Sequence, residues 1–150
     1  MVVKDFLSLE AIAVLPKEVK LEKNDVLNKI ALIGQDVYGL DHDFAHQSLI
    51  KREQASSTGM GLGIALPHAR SDRFNNIVGI FIRLSNPIEF QSLDRLPVDL
   101  VFGIFAPETQ SIDYLKSLSG VARKLRDPVT QELLRRNSEP SVLHTILCQE

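Results

Sequence analysis

Residues 98–106 of this 150-residue chain read VDLVFGIFA. Residues 76–84 read NIVGIFIRL and share its content of β-branched and aromatic side chains. Apolar runs that do not alternate with polar residues are typical of strands buried on both faces of a sheet. The two stretches therefore predict two buried strands. The sequences SNP at 85–87 and SLDRLP at 92–97 predict the turns between them.

Two helices are predicted before these strands. Residues 24–38 space their apolar side chains at helical intervals, with Asn24 as a candidate N-cap. Residues 41–54 predict a second helix, capped by Asp41 or Asp43.

The chain becomes helical again after the strands. Residues 111–126 place apolar side chains on one helical face, and Pro128 is suited to start a further helix over 128–137. A last helix is expected over 141–149, capped by Ser141. Helices early, strands in the middle and helices late predict an α/β fold with a modest central sheet, rather than a strictly alternating parallel one.

Composition restricts the classes of protein that the chain can represent. Its length suits one domain over residues 1–150, and 44% hydrophobic with 24% charged residues is the mix of a globular protein. The net charge of −2, without a long block of like charge, argues against nucleic acid or a membrane surface as the main partner. A single cysteine, Cys148, suits a reducing compartment, and the N-terminus makes a poor signal peptide. We expect a cytoplasmic protein.

Three alternating glycines, Gly59, Gly61 and Gly63, lead into a short apolar strand, GIAL. A Walker A loop would need a lysine followed by serine or threonine directly after its glycines, and this stretch has no such pair. A dinucleotide fingerprint needs different spacing and follows a strand instead of preceding one. Two interpretations stay open: a loop that needs positive φ angles, or a loop beside a functional site.

A single histidine, His68, follows this segment directly after Pro67. The proline restrains the backbone, so His68 is expected at a stiff end of the short strand. Arg70 lies two residues further on, and Arg52 lies on the preceding helix. A neutral imidazole near an arginine suits a histidine that takes up or gives away a charged group. The candidates for binding phosphate oxygens beside it are Ser57, Thr58 and Gly59.

The other histidines carry weaker hypotheses. His42 and His46 lie four residues apart and share a predicted helix face, so together with His68 they suggest a metal-dependent hydrolase as an alternative. The segment lacks the glutamate of the His-Glu-x-x-His motif, and we expect no metal. His144 is expected to be structural, and Cys148 has no histidine that would make it a catalytic thiol.

Residues 52–69, REQASSTGMGLGIALPHA, resemble the phosphorylation-site signature of enzyme IIA domains of the bacterial phosphoenolpyruvate-dependent sugar phosphotransferase system. The similarity is to the fructose/mannitol class, which includes the nitrogen-regulatory IIA proteins. Residues 86–108 resemble the second conserved block of that family. The signature positions are Glu53, Met60, Gly61, Ile64, Ala65, Leu66, Pro67, His68 and Ala69.

The resemblance implies a mixed sheet flanked by helices on both faces and a phosphotransferase activity without a cofactor. His68 matches the histidine that accepts a phosphoryl group from an HPr-type carrier, and Arg52 matches the arginine beside it. We expect a nitrogen-regulatory IIA protein whose phosphorylation controls a target protein. The alternatives are a sugar-specific IIA component that passes phosphate to a IIB domain, and a binding module of the same fold that carries no phosphate.

One position departs from the family pattern. The family places a second histidine near the start of the helix after the AP turn, and Tyr114 stands there in this chain. A tyrosine can donate one hydrogen bond to a phosphate oxygen but supplies no positive charge. We therefore include Tyr114 among the candidate phosphate-binding residues.

Overall fold

The computed structural model describes residues 1–150 and consists of a six-stranded sheet and five helices. The elements follow one another as β1 (Leu7–Leu15), α1 (Lys23–Tyr38), α2 (His42–Ala55), β2 (Gly59–Gly61), β3 (Ile64–Ala65), β4 (His68–Arg70), β5 (Val78–Ile88), β6 (Val98–Ala106), α3 (Ser111–Arg126), α4 (Pro128–Arg136) and α5 (Pro140–Cys148). The strand order is β1-β5-β6-β3-β2, and β4 also pairs with β6.

The two strands predicted from apolar runs, β5 and β6, are the central antiparallel pair of the sheet. The β6 strand has the predicted bounds, whereas β5 runs on to Ile88 through the predicted SNP turn. The turn prediction at 85–87 is therefore wrong. The register between the strands shifts between Arg83 and Ile88, and this irregularity accommodates Pro87, which has no N–H to donate to the ladder.

The sheet is mixed and lies between two layers of helices, which confirms the predicted fold class. Successive side chains of β6 point to opposite faces. Phe102 packs edge-on against Phe6, with ring centroids 6.3 Å apart. A Cβ at the next residue, Gly103, would lie only 2.7 Å from Cγ2 of Ile30 on α1, so this glycine permits close packing of helix and sheet.

Three strands of the structure were not predicted: β1, β4 and β2, the last of which lies in the segment expected to be a glycine-rich loop. The β1 strand precedes the helices and pairs with β5 in parallel, so the chain does not begin with helices as expected. The β4 strand is only three residues long and pairs with β6 beside β3. His68 therefore begins a strand of its own instead of ending the preceding one, because Pro67 separates β3 from β4.

The glycine-rich segment is a tight β-hairpin formed by β2 and β3. Its two connecting residues, Leu62 and Gly63, have φ angles of 60° and 79°, as a type I′ turn requires. The carboxylate of Asp94 accepts a hydrogen bond from the Leu62 N–H at 2.8 Å, and Arg135 donates to the Leu62 carbonyl at 2.9 Å. The hairpin is thus fixed to the loop before β6 and to α4.

The helix caps agree in part with the prediction. Asp41 caps α2 by accepting from the Phe44 N–H at 2.9 Å. The α1 helix begins one residue before Asn24, and Asp25 in its first turn accepts from the Glu22 N–H at 2.9 Å. Ser141 lies inside α5, which begins at Pro140. No helix of the chain has both the length and the apolar character needed to cross a bilayer.

Candidate functional site

His68 lies at an open part of the sheet surface and is half-buried. It pairs in register with Ile104 of β6, and the carbonyl of Pro67 accepts a hydrogen bond from the Ile104 N–H at 2.9 Å. The backbone of His68 is therefore held by the rigid centre of the sheet. Its ring projects between α2 and α3, toward Arg52 and Tyr114.

The hydrogen bonds of the imidazole assign its tautomer. Nδ1 lies 2.8 Å from the carbonyl oxygen of Leu66, which can only accept, so Nδ1 carries the proton. Nε2 accepts from the Nε–H of Arg52 at 3.3 Å. The lone pair of Nε2 is therefore the nucleophilic position of the ring.

Burial keeps the imidazole in its neutral form. Burial lowers the pKa of His68 below its ordinary value of 6.5, and the positive charge of Arg52 acts in the same direction. The hydrogen bond to Leu66 and the negative charge of Glu53 act to raise the pKa, but burial is the largest effect and the net pKa is lowered. At neutral pH the ring is therefore available as a nucleophile.

Arg52 is held in place from the C-terminal end of α2. Its guanidinium donates to the carbonyl of Ser56 at 2.9 Å, so it is tied to its own helix end while Nε faces His68. The guanidinium forms no ion pair with a carboxylate. Its charge is thus available to an anion that reaches His68.

Glu53, the neighbour of Arg52, organises the segment after α2. Its buried carboxylate accepts from the N–H of Thr58 at 2.9 Å and from the Thr58 hydroxyl at 2.5 Å. The ammonium group of Lys23, whose side chain is partly exposed, lies 2.7 Å away and completes an ion pair with the buried carboxylate. Sequence reasoning assigned no role to this glutamate, although its position inside the signature next to Arg52 was a usable signal.

The polar residues predicted to bind phosphate lie beside His68 but are already hydrogen-bonded. Ser57, Thr58 and Gly59 line one cavity together with His68. The Thr58 hydroxyl donates to Glu53, the Ser57 hydroxyl donates to the Phe90 carbonyl at 2.7 Å, and the Gly59 N–H donates to Ser57 at 3.0 Å. These groups therefore shape the wall of the cavity, and the two hydroxyls and the Gly59 N–H are not free for a ligand.

Tyr114 packs beside His68, with ring centroids 6.3 Å apart, and is 5% exposed. Burial raises the pKa of the Tyr114 phenol, whereas the charges of Arg70 and Arg52 act to lower it. The phenol stays protonated at neutral pH, and its hydroxyl has no hydrogen-bond partner within the chain. It is therefore an available donor near the imidazole.

Arg70 is the cation that stacks on this tyrosine. Its guanidinium carbon lies 4.6 Å from the centroid of the Tyr114 ring, and one nitrogen donates to the Glu108 carbonyl at 2.7 Å and to Ser111 at 2.9 Å. The Nε atom is buried and without a partner. Because His68 and Arg70 are two residues apart on β4, their side chains share one face of the strand.

Two cavities flank the Arg52–His68 pair. One, of about 650 Å³, opens between the segment after α2 and the second half of α3. The other, of about 710 Å³, opens between α2, β4 and Tyr114. Both contain Arg52 and His68, so the nucleophilic ring is accessible to a large ligand or another protein.

The remaining histidines and the cysteine lie outside this site. The rings of His42 and His46 stack on each other 5.8 Å apart, and His42 is hydrogen-bonded to Asn28 at 2.6 Å. No group of three or more potential metal ligands comes together, so the hydrolase alternative lacks a ligand set. Nε2 of His144 lies 2.9 Å from the Leu7 carbonyl oxygen, which ties α5 to β1, and 3.5 Å from Sγ of Cys148. The prediction that Cys148 has no histidine beside it is therefore wrong.

The site is a neutral histidine beside two arginines that form no ion pair, on a mixed sheet covered by helices, and this arrangement suits the binding of an anionic group. The chain belongs to the family described as phosphoenolpyruvate-dependent sugar phosphotransferase system, EIIA 2, whose model matches residues 6–149.

Similar proteins carry regulatory and sugar-specific names. The chain is 35% identical over 135 residues to a nitrogen regulatory protein of Bradyrhizobium diazoefficiens, covering 90% of this chain and 88% of that protein. A fructose-specific EIIA component of Haloferax volcanii is 35% identical over 103 residues, 68% of this chain and 67% of that protein. The crystal structure of IIA-Ntr from Neisseria meningitidis superposes with a TM-score of 0.88 at 29% identity, covering 95% of this chain and 97% of that one.

Proposed function

We propose that this protein is a phosphocarrier of the nitrogen-regulatory type, and that Nε2 of His68 accepts a phosphoryl group from an HPr-type phosphohistidine protein. The observation that carries the proposal is the imidazole itself. Its Nδ1–H is bound to the Leu66 carbonyl, its Nε2 lone pair faces Arg52, and its pKa is lowered.

The transfer exchanges one nitrogen–phosphorus bond for another. Nε2 of His68 attacks phosphorus in line, while the bond from phosphorus to the donor's protonated imidazole breaks. The donor's imidazole leaves as the neutral ring, and the positive charge now lies on the His68 ring, which keeps its Nδ1 proton. The Leu66 carbonyl accepts that proton's hydrogen bond and so stabilises the imidazolium. Because both nitrogens are chemically alike, positioning and charge stabilisation supply most of the catalysis.

Three side chains would act on the phosphoryl oxygens. Arg52 already contacts Nε2 and offers a guanidinium beside the reacting atom. Arg70 supplies a second positive charge on the same face of β4, and the Tyr114 hydroxyl supplies a neutral donor. The charge that the family's second histidine would bring is thus offered by Arg70.

The phosphorylation state would be the output of the protein. A relative that matches 90% of the chain is named a nitrogen regulatory protein, and this favours a regulatory role in the cytoplasm. A sugar-specific role, with onward transfer to a IIB domain, is the second candidate because a fructose-specific component is equally identical over a shorter stretch.

The direct test is reconstitution. The protein is incubated with phosphoenolpyruvate, enzyme I and the HPr-type carrier of its own organism, and intact mass is measured before and after brief acid treatment. We expect an acid-labile gain of one phosphoryl group. The variant His68→Ala should lose it, and His42→Gln, whose ring lies outside the site, should keep it.

Two results would redirect the proposal. No mass gain in the wild type would favour a binding module that carries no phosphate, and an unchanged gain in His68→Ala would assign the acceptor elsewhere. Adding a fructose-type IIB domain to the labelled protein separates the two roles, because only a sugar-specific component should pass its phosphoryl group on efficiently.

A further inference from the structure

The walls of the two cavities beside His68 are strongly basic. Three arginines line the first cavity, and Lys51 with two arginines lines the second; Arg52 belongs to both. We call the resulting five cations the basic rim: Lys51, Arg52, Arg70, Arg123 and Arg126. None of the five forms an ion pair with a carboxylate.

No aspartate or glutamate lines either cavity. The acidic group that acts on His68 is Glu53, which is buried and already paired with Lys23 and Thr58. The chain as a whole has a net charge of −2, so removing the five rim charges leaves −7 for the rest of the molecule. The positive charge is therefore concentrated around the histidine and is not a general property of the surface.

The basic rim extends beyond what a phosphoryl group can contact. Arg52 and Arg70 lie against the His68 and Tyr114 rings. Arg123 and Arg126, in contrast, lie three residues apart on α3 and are exposed, as is Lys51 on α2. Exposed, unpaired cations around an accessible reactive group steer and orient a partner of opposite charge.

We infer that the basic rim binds an acidic surface of the phosphoryl donor. The donor protein would then carry carboxylates around its own histidine. The inference rests on the proposed function and specifies the partner's chemistry. Arg123 and Arg126 on one side of His68, and Lys51 on the other, pair with these carboxylates. Arg52 and Arg70 remain directed at the phosphoryl group.

Phosphorylation then weakens the same interaction. A bound phosphoryl group brings a charge of about −2 at neutral pH and the His68 ring that carries it gains +1, so the local charge falls from +5 to about +4. An acidic donor therefore binds the unphosphorylated protein more tightly and leaves after transfer. The affinity of the basic rim for the donor therefore depends on whether His68 carries a phosphoryl group.

The test measures equilibrium binding of the unphosphorylated HPr-type carrier from the same organism, by NMR titration. Raising the NaCl concentration from about 0.05 M to about 0.5 M should weaken binding roughly tenfold, because exposed pairs are screened. At low salt, two double variants should bind the carrier more weakly than the wild type does: Arg123→Glu/Arg126→Glu and, to a smaller extent, Arg123→Gln/Arg126→Gln. Lys17→Glu is the matched control: it follows β1 at the opposite end of the sheet and should bind as the wild type does.

Labelling with phosphoramidate, a small donor that needs no docking face, separates this inference from the proposed function. Both double variants should accept a phosphoryl group from phosphoramidate at the wild-type rate. Failure of the wild type to be labelled would overturn the function, but the carrier titration would still test docking. Salt-independent binding, no detectable binding, or equal losses in Lys17→Glu would overturn the inference. So would a carrier whose surface around its histidine carries more lysine and arginine than aspartate and glutamate.

Discussion

Arg52 donates a hydrogen bond from Nε to the one nitrogen of His68 that can act as a nucleophile, across 3.3 Å. The length of this contact indicates a weak bond, which the guanidinium can exchange for a phosphoryl oxygen at little cost. Together with the Leu66 carbonyl, the arginine therefore holds the ring in the tautomer whose Nε2 carries the lone pair. Once Nε2 carries a phosphoryl group, the guanidinium would pair with its negatively charged oxygens.

The first prediction concerns the ionisation of His68. Its pKa in the folded protein should lie below 6.5, because burial disfavours the imidazolium and Arg52 adds like-charge repulsion. The measurement is a pH titration of the ring ¹⁵N and ¹H resonances. In Arg52→Gln the pKa should rise, since one of the two causes is removed, while the Nδ1–H tautomer persists.

The sign of the pH dependence follows from this shift. As the pH is lowered, the histidine of the unfolded chain, with a pKa of about 6.5, binds a proton at a higher pH than His68 of the folded chain does. This group's contribution to stability is therefore complete above that pH and is lost as the pH falls through the lower folded pKa. Transfer should decline over the same interval. A folded pKa at or above that of the unfolded chain would contradict the burial argument.

The second prediction tests Arg70. Replacing it by glutamine should slow transfer from the carrier about tenfold and shorten the lifetime of phospho-His68, because one cation facing the phosphoryl group is lost. Arg73→Gln is the control, since Arg73 stacks on Phe44 at 3.8 Å and does not line the site. Arg70→Lys should recover part of the lifetime by restoring charge without the planar fork. Full loss in Arg70→Lys together with a lower melting temperature would indicate a purely structural role.

Parts of the fold could be predicted because their signals are local. The β6 and α3 elements have the predicted bounds. The unbroken apolar run of β6 and the helical apolar stripe of α3 each lie within one element and can be recognised from its sequence alone. The β1 strand was missed because its place in the sheet depends on pairing with β5, far along the chain. The three residues of β4 carry no periodic signal at all, and their strand conformation comes from β6.

The candidate site shows the same division. His68 and Arg52 were found because the signature holds them in a short stretch of sequence. The contacts of Arg70 with Tyr114, and of Lys23 with Glu53, join residues from distant elements, so only the folded chain reveals them. Ser57, Thr58 and Gly59 have the right chemistry and lie beside His68, but their bonds to other groups are a tertiary property.

The third prediction concerns the ion pair of the buried Glu53 carboxylate with Lys23. Glu53→Gln should destabilise the protein by about 2–4 kcal/mol, because it leaves Lys23 without its counter-charge and weakens the bonds to Thr58. Chemical denaturation measures the loss. Glu132→Gln, which removes an exposed pair with Arg136, should cost less than about 0.5 kcal/mol. Equal losses of stability at the two positions would mean that burial does not increase the contribution of the Glu53 pair to the free energy of unfolding.

The fourth prediction contrasts the two residues of the hairpin turn. Gly63→Ala should destabilise by about 1–3 kcal/mol, because its φ is 79° and the new Cβ would lie 2.5 Å from a guanidinium nitrogen of Arg135. Leu62→Asn should instead stabilise by about 0.5–1 kcal/mol, since Leu62 is exposed with a φ of 60° and Asn-Gly suits this turn. Thermal and denaturant unfolding measure both changes. A loss of stability in Leu62→Asn would show that the leucine side chain contributes more than its backbone strain costs.

The fifth prediction concerns the tyrosine that stands where the family has a histidine. Tyr114→Phe keeps the ring beside His68 and under Arg70 and removes only the hydroxyl. If that hydroxyl donates to a phosphoryl oxygen, the lifetime of phospho-His68 should shorten about 3- to 10-fold, as expected for one hydrogen bond to a charged group. Intact-mass measurements over time give the decay rate. Tyr114→His, which can carry a charge, should change the pH dependence of this decay. Identical decay in the wild type and Tyr114→Phe would mean that the hydroxyl does not contact the phosphoryl group and that the arginines alone hold it.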